Sequence, residues 1–135
     1  MVGRLMFLVD TNVWLELILD QEKAADVRRF FQAHDTDDLS ITEFSLYSIG
    51  IILSRLKKDE AFVDFLTDTL QEGGVKRVRL DIQDLMLLSE IIRRFNLDFD
   101  DAYQYCVAQK FDMVLVSFDG DFDGTERGRK APADV

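Results

Sequence analysis

Four acidic residues stand where the chain changes character. Asp10 follows the apolar run at residues 5–9, Glu43 follows "LSIT", Asp101 sits in "LDFDDAYQYCVA", and Asp119 follows "MVLVSF". Asp121 comes just after, in "FDGDFD", and Asp100 adjoins Asp101. Carboxylate oxygens are the preferred ligands of hard divalent cations, and Mg2+ or Mn2+ is typically held by one or two of them together with water and a substrate phosphate. Two such ions about 3.5–4 Å apart can clamp the attacking and leaving oxygens of a phosphodiester. With no cation, four converging carboxylates repel one another and raise some of their pKa values.

Each acid also has an ordinary structural reading. "DTN" at 10–12 can start a helix, since Asp and Asn are good N-caps. "SITE" at 40–43 fits a capping box, with Ser40 bonding the backbone and Glu43 answering. Asp98, Asp100 and Asp101 suit the first turn of a helix, and "FDGDFDG" suits a solvated turn. Independent caps have no reason to fall after both of the most apolar strands, so the four acids read together favour a cation site.

The rest of the composition narrows the setting. A formal net charge of −10 over 135 residues argues against broad nonspecific nucleic-acid binding. The basic cluster "RGRK" at 127–130 either solvates a tail or adds local positive charge through Arg127, Arg129 and Lys130. One cysteine, Cys106, allows no internal disulfide and fits a reducing cytoplasm. It reads as a small buried residue, and the lone His34 lacks the partners of a zinc site. The first nine residues are too short for a signal peptide. The apolar stretch at 44–53 falls short of the roughly 20 residues of a membrane span, so no membrane is expected.

Hydrophobic periodicity supplies the elements that must position the acids. Strands are predicted at 4–9, 39–42, 75–80 and 113–118, and helices at 11–20, 22–34, 43–56, 60–71, 81–94 and 101–109. Strands alternating with helices predict a single α/β domain over 1–135 with a mainly parallel central sheet. The two most apolar strands should be central. In such sheets ligands bind beyond the carboxyl ends of the strands, where Asp10 and Asp119 would both lie. The helix at 43–56 carries apolar residues on more than one face, and the surplus predicts a two-fold homodimer.

Four stretches, "LVDTNVW", "SITEFSLYSIG", "LDFDDAYQYCVAQK" and "MVLVSFDGDFD", resemble in order and spacing the motif blocks of PIN domains, which include the VapC-type toxins. The resemblance implies a three-layer α/β fold and an Mg2+- or Mn2+-dependent endoribonuclease acting on single-stranded RNA. It implies Asp10, Glu43, Asp101 and Asp119 as catalytic metal ligands, with Asp121 assisting. Asn12 and Ser117 would support them, and Asp100 is a neighbour able to exchange roles with Asp101. It further implies an RNA substrate and, for a toxin, a cognate antitoxin protein. The closing segment is short for the family, so a last strand is expected to be stubby or missing. RNA processing outside a toxin pair and a catalytically silent scaffold stay open at this stage. Aspartyl-phosphate chemistry of the haloacid-dehalogenase type wants a second Asp at position 12, where Asn12 stands.

Overall fold

The computed structural model describes residues 4–135. Four parallel strands, β1 (Phe7–Val9), β2 (Leu39–Thr42), β3 (Lys76–Val78) and β4 (Val114–Val116), form one sheet in the order β3-β2-β1-β4. The two most apolar strands, β1 and β4, are matched residue by residue from Phe7 opposite Val114 to Val9 opposite Val116, but only β1 is central, beside β2. Strand β4, expected at the centre, lies at the edge, its outer side met by the Val116–Lys130 bridge, and it is apolar because both of its faces are buried. Side chains alternate across a strand. Phe7 and Val9 therefore enter one core with Val27, Phe30, Ile41 and Ile49, while Leu8 enters the other with Val107, Leu115 and Phe122.

Helices cover both faces. The first layer holds α1 (Thr11–Ile18), α2 (Ala24–Ala33), α3 (Glu43–Arg55) and α4 (Asp59–Phe65). The second holds α5 (Ile82–Met86), α6 (Leu88–Phe95) and α7 (Phe99–Phe111). The result is the expected three-layer α/β architecture.

Several boundaries differ from the periodic reading, each for a local reason. The predicted helix at 81–94 is two helices. The Leu87 N–H bonds the Asp84 carbonyl, a tightened turn that restarts the helix and turns Leu88 and Ile91 into the core while Leu85 stays exposed. The α7 helix begins at Phe99, two residues early, with Asp98 at its N-cap. Asn96 and Asp112 adopt left-handed backbone (φ 54° and 52°) and stop α6 and α7. The strand at 75–80 is regular only over Lys76–Val78. The last strand is reduced to a single parallel bridge between Val116 and Lys130.

Candidate metal centre

The sheet ends β1 and β4 and the first turn of α7 bring Asp10, Asp101 and Asp119 to one cavity of about 370 Å3, lined also by Asn12, Phe44, Asp100 and Gln104. Asp101, Asp119 and Asp121 each place a carboxylate oxygen within 4.8 Å of the others. Asp101 and Asp119 are half-buried and Asp121 is exposed at the rim. This donor set, all carboxylate oxygen and partly open to solvent, fits a hard divalent cation.

Asp10 is the most constrained of the acids. It is buried, and its side chain also caps α1 by accepting the Thr11 N–H at 2.8 Å. The same oxygen, Oδ1, accepts from Gln104 Nε2 at 2.8 Å, and Oδ2 accepts from the Ser117 hydroxyl at 2.7 Å. Burial pushes its carboxyl above the ordinary value, the three donors oppose that, and the Asp119 charge adds to the rise.

Asp101 is displaced upward as well, to about 7. Partial burial is the main cause, followed by the charge of Asp119 and hydrogen bonding to it, with Asp10 and Asp98 adding repulsion. A carboxyl that cannot ionise beside its neighbours is what a site awaiting a cation produces.

The supporting residues form two nets. Ser117 donates to Asp10 while accepting from Asn12 Nδ2 (3.3 Å) and the Asp119 N–H (2.9 Å). Asn12 Oδ1 also accepts the Phe118 N–H, which ties α1 to the end of β4. The second net centres on Gln104, which is 2% exposed. Its amide nitrogen donates to Asp10 and to the Ser45 hydroxyl (2.9 Å), and its oxygen accepts from the Thr42 hydroxyl (2.8 Å). Ser45 in turn shares a hydrogen bond with Thr11.

Gln104, Ser45 and Thr42 were not among the sequence candidates. One signal existed, since Gln104 lies three residues after Asp101 and so shares its helix face.

Glu43 is not brought to the cluster. Its carboxylate accepts the Tyr47 hydroxyl one helical turn on and lines a separate hollow. The capping box read from "SITE" is replaced by a different cap. Thr42 takes the N-cap and accepts the Ser45 N–H at 2.9 Å, while Ser40 lies buried in β2 with its hydroxyl unpartnered among the described residues. That cap puts Ser45, not Glu43, on the face toward Asp10. Asp100 lines the cavity but is exposed, outside the close triad.

The C-terminal cations staple rather than face the cavity. Arg127 pairs with Asp112 and donates to the Met113 carbonyl; Arg129 pairs with Asp123 and donates to the Ser117 carbonyl.

Comparison with solved structures gives the same architecture. VapC20 of Mycobacterium tuberculosis, described as a sarcin-ricin loop cleaving toxin, superposes with a TM-score of 0.76 at 20% identity, covering 90% of this chain and 95% of that one. FitAcB from Neisseria gonorrhoeae gives 0.77 at 18% identity, covering 96% and 100%. A toxin–antitoxin complex from Klebsiella pneumoniae gives 0.74 at 15%, covering 95% and 98%. No curated protein matches the chain by sequence. The family model described as PIN domain matches residues 7–128, which takes in all four strands and every acid of the cavity, and the chain belongs to the PIN domain family.

Proposed function

We propose that the protein is an Mg2+- or Mn2+-dependent endoribonuclease that hydrolyses phosphodiester bonds of single-stranded RNA, and that it is the toxin of a toxin–antitoxin pair. The observation that carries the nuclease reading is the convergence of Asp10, Asp101 and Asp119 from distant parts of the chain on one cavity, with the Asp121 carboxylate within 4.8 Å of those of Asp101 and Asp119. The toxin reading is supported by the structural likeness to VapC20 and FitAcB and implies a cognate antitoxin partner. The buried single cysteine suits a cytoplasmic setting.

Asp101, Asp119 and Asp121 would hold the cation, with Asp10 completing the set. A bound ion supplies Lewis acidity at the phosphate and lowers the pKa of a water. Asp10 accepts three hydrogen bonds of the roughly four a carboxylate can take, so it is oriented yet retains a free lone pair. Asp101 holds a proton in the metal-free protein up to about pH 7 and gives it up to a cation. Leu15, Phe44, Ile51 and Ile52 wall one side of the cavity and limit water there.

Incubation of single-stranded RNA with the protein and Mn2+ should yield internal cuts with 3′-hydroxyl and 5′-phosphate ends, all abolished by EDTA. Intact RNA under those conditions, or cutting that EDTA does not stop, sinks the reading.

A homodimer is also proposed, using part of α3 and its C-cap, where Ile51 at the cavity's mouth and Leu56 are 51% and 50% exposed. Light scattering at tens of micromolar, on the order of magnitude where a standard interface is populated, should give twice the monomer mass. A monomer there removes the proposal.

A further inference from the structure

Next to the acidic cavity, and sharing Phe44 with it, lies a shallower hollow lined by Glu43, Phe44, Tyr47, Arg79, Leu80 and Tyr103. Its walls are aromatic. Phe44 lies 5.3 Å from Tyr103 and 6.2 Å from Phe99, ring centre to ring centre, and Tyr47 and Phe99 are largely open to solvent. Tyr103 belongs to the second core and Phe44 packs against it, but the exposed rings of Tyr47 and Phe99 are not needed to fill a core.

Two arginines border the hollow. Along β3 and its continuation, Val78 and Leu80 pack into the second core, while Val75 packs into the first. Arg77 and Arg79 alternate with Val78 and Leu80 and therefore stand on the α3 side. The Tyr47 phenol is held above its ordinary value by its hydrogen bond to Glu43, and Arg77 and Arg79 oppose that rise, which places their charges close to it. Both arginines are exposed, and neither forms an ion pair among the described residues. On a chain of net charge −10 this is a local reversal of sign beside exposed aromatic faces.

We propose that this hollow is a nucleotide subsite, taking one unpaired nucleotide of a single-stranded RNA with its base against Phe44 and Tyr47 and a backbone phosphate on Arg79 and Arg77. Cationic grooves set with aromatic platforms are how proteins hold single strands, since every unpaired base has a face to stack. In a duplex those faces are hidden, so the subsite selects single strands. Glu43 accepts hydrogen bonds only, and its free lone pairs suit the N–H donors on a base edge. Sharing Phe44 between hollow and cavity puts this nucleotide next to the phosphate that would be cut. The inference rests on the nuclease reading above and assigns where its substrate lies.

The test is fluorescence anisotropy of a labelled single-stranded RNA hexamer on the full chain, with Ca2+ in place of Mg2+ or Mn2+. The double variant Arg77→Ala/Arg79→Ala should weaken binding roughly tenfold or more and flatten the log–log salt dependence by about 0.7, the share of one phosphate. An abasic nucleotide, walked through the hexamer, should weaken wild-type binding roughly tenfold at one position, the scale of one stacked base. Tyr47→Ala should be indifferent to that lesion. Unchanged Mn2+-induced melting shifts in the variants would show that fold and acidic cavity are intact. Wild-type affinity and salt slope in the double variant overturn the subsite, as would happen if the patch served a protein partner. Equal binding of duplex RNA overturns it too. If Mn2+-dependent cleavage by the wild type persists in either case, the nuclease reading stands and only the subsite falls. If the wild type neither binds nor cuts single-stranded RNA, both fall.

Discussion

Gln104→Met should lower the melting temperature by about 10 °C and weaken the response to Mn2+. Methionine keeps the volume of the buried side chain, so little cavity is created. What it removes is one donor to Asp10, one to Ser45 and the acceptor of the Thr42 hydroxyl. Ser45 keeps Thr11 as a partner, and Asp10 keeps Thr11 N–H and Ser117. The Thr42 hydroxyl proton is left without an acceptor. Leaving a buried polar group unpaired costs about 1–3 kcal/mol, and losing a hydrogen bond to a charged group costs about as much again. With an unfolding entropy of roughly 2.1 cal/mol/K per residue, a loss of about 3 kcal/mol in a chain of this length is a shift of that size. Losing the Gln104 donor also removes the largest of the hydrogen bonds that keep the Asp10 carboxyl from rising further. A melting point within 3 °C of wild type, read by circular dichroism with roughly that precision, would show that the net around Gln104 is incidental.

Asp101→Asn should melt above the wild type at pH 8 in EDTA, keep only part of that advantage at pH 5.5, lose it below the unfolded value of 3.8, gain little from Mn2+, and cut no RNA. The sign follows from the direction of the displacement. Burial and the neighbouring charges push the Asp101 carboxyl up to about 7 in the folded chain, against its ordinary 3.8 when unfolded. Between those values the folded state binds more proton than the unfolded state, so this residue's contribution falls as pH rises through the window. Above it the group is charged and repelled by Asp119 and Asp10, and asparagine escapes that. Below it the wild-type carboxyl carries its own proton and resembles the amide. Because the side chain is partly open to solvent, screening reduces the difference to a few degrees. For the wild type, Mn2+ at about 100 times its dissociation constant contributes roughly 2.7 kcal/mol, or some 9 °C at this chain length. Equal Mn2+ responses in both proteins would remove Asp101 from the ligand set.

Asp10 is a poorer subject for the same substitution. Its two oxygens face three donors, so an asparagine would turn its NH2 on at least one of them. Ser117 cannot answer by reversing its hydroxyl without losing a bond, since it already accepts from Asn12 and Asp119.

What could be read from the sequence follows the sheet. A run of apolar residues ended by an acid marks both a strand buried on its two faces and the end of the sheet where the acid emerges, and Asp10 and Asp119 were legible for that reason, although β4 lies at the edge of the sheet and not at its centre. Asp101 was legible relative to Asp100 because residues 100° apart on a helix cannot both face inward. Glu43 was not, because the N-cap decides the rotation of α3, and "SIT" offers two hydroxyls for one cap. Thr42 takes it, and Ser45 faces the cavity as a consequence. The break at Leu87 was equally hidden, since the apolar stripe continues across it and only the Asp81–Asp84 capping box and the bond at Leu87 betray two helices.

The sheet order has a consequence in time as well as in space. β1, formed from the first residues of the described chain, finds its second partner in β4, more than a hundred residues later. Parallel pairings of such sequence separation form slowly, because a long loop must close before any contact rewards it. During synthesis, β1 and β2 can meet early, but Asp119 and Asp121 do not yet exist as neighbours of Asp10. A ribosome-bound chain short of β4 has half of its carboxylate set and no cavity to hold an ion. The carboxylate cavity is therefore the last part of the molecule to be assembled, and under the proposed nuclease function a nascent chain would be harmless to the RNA around it until folding is nearly done.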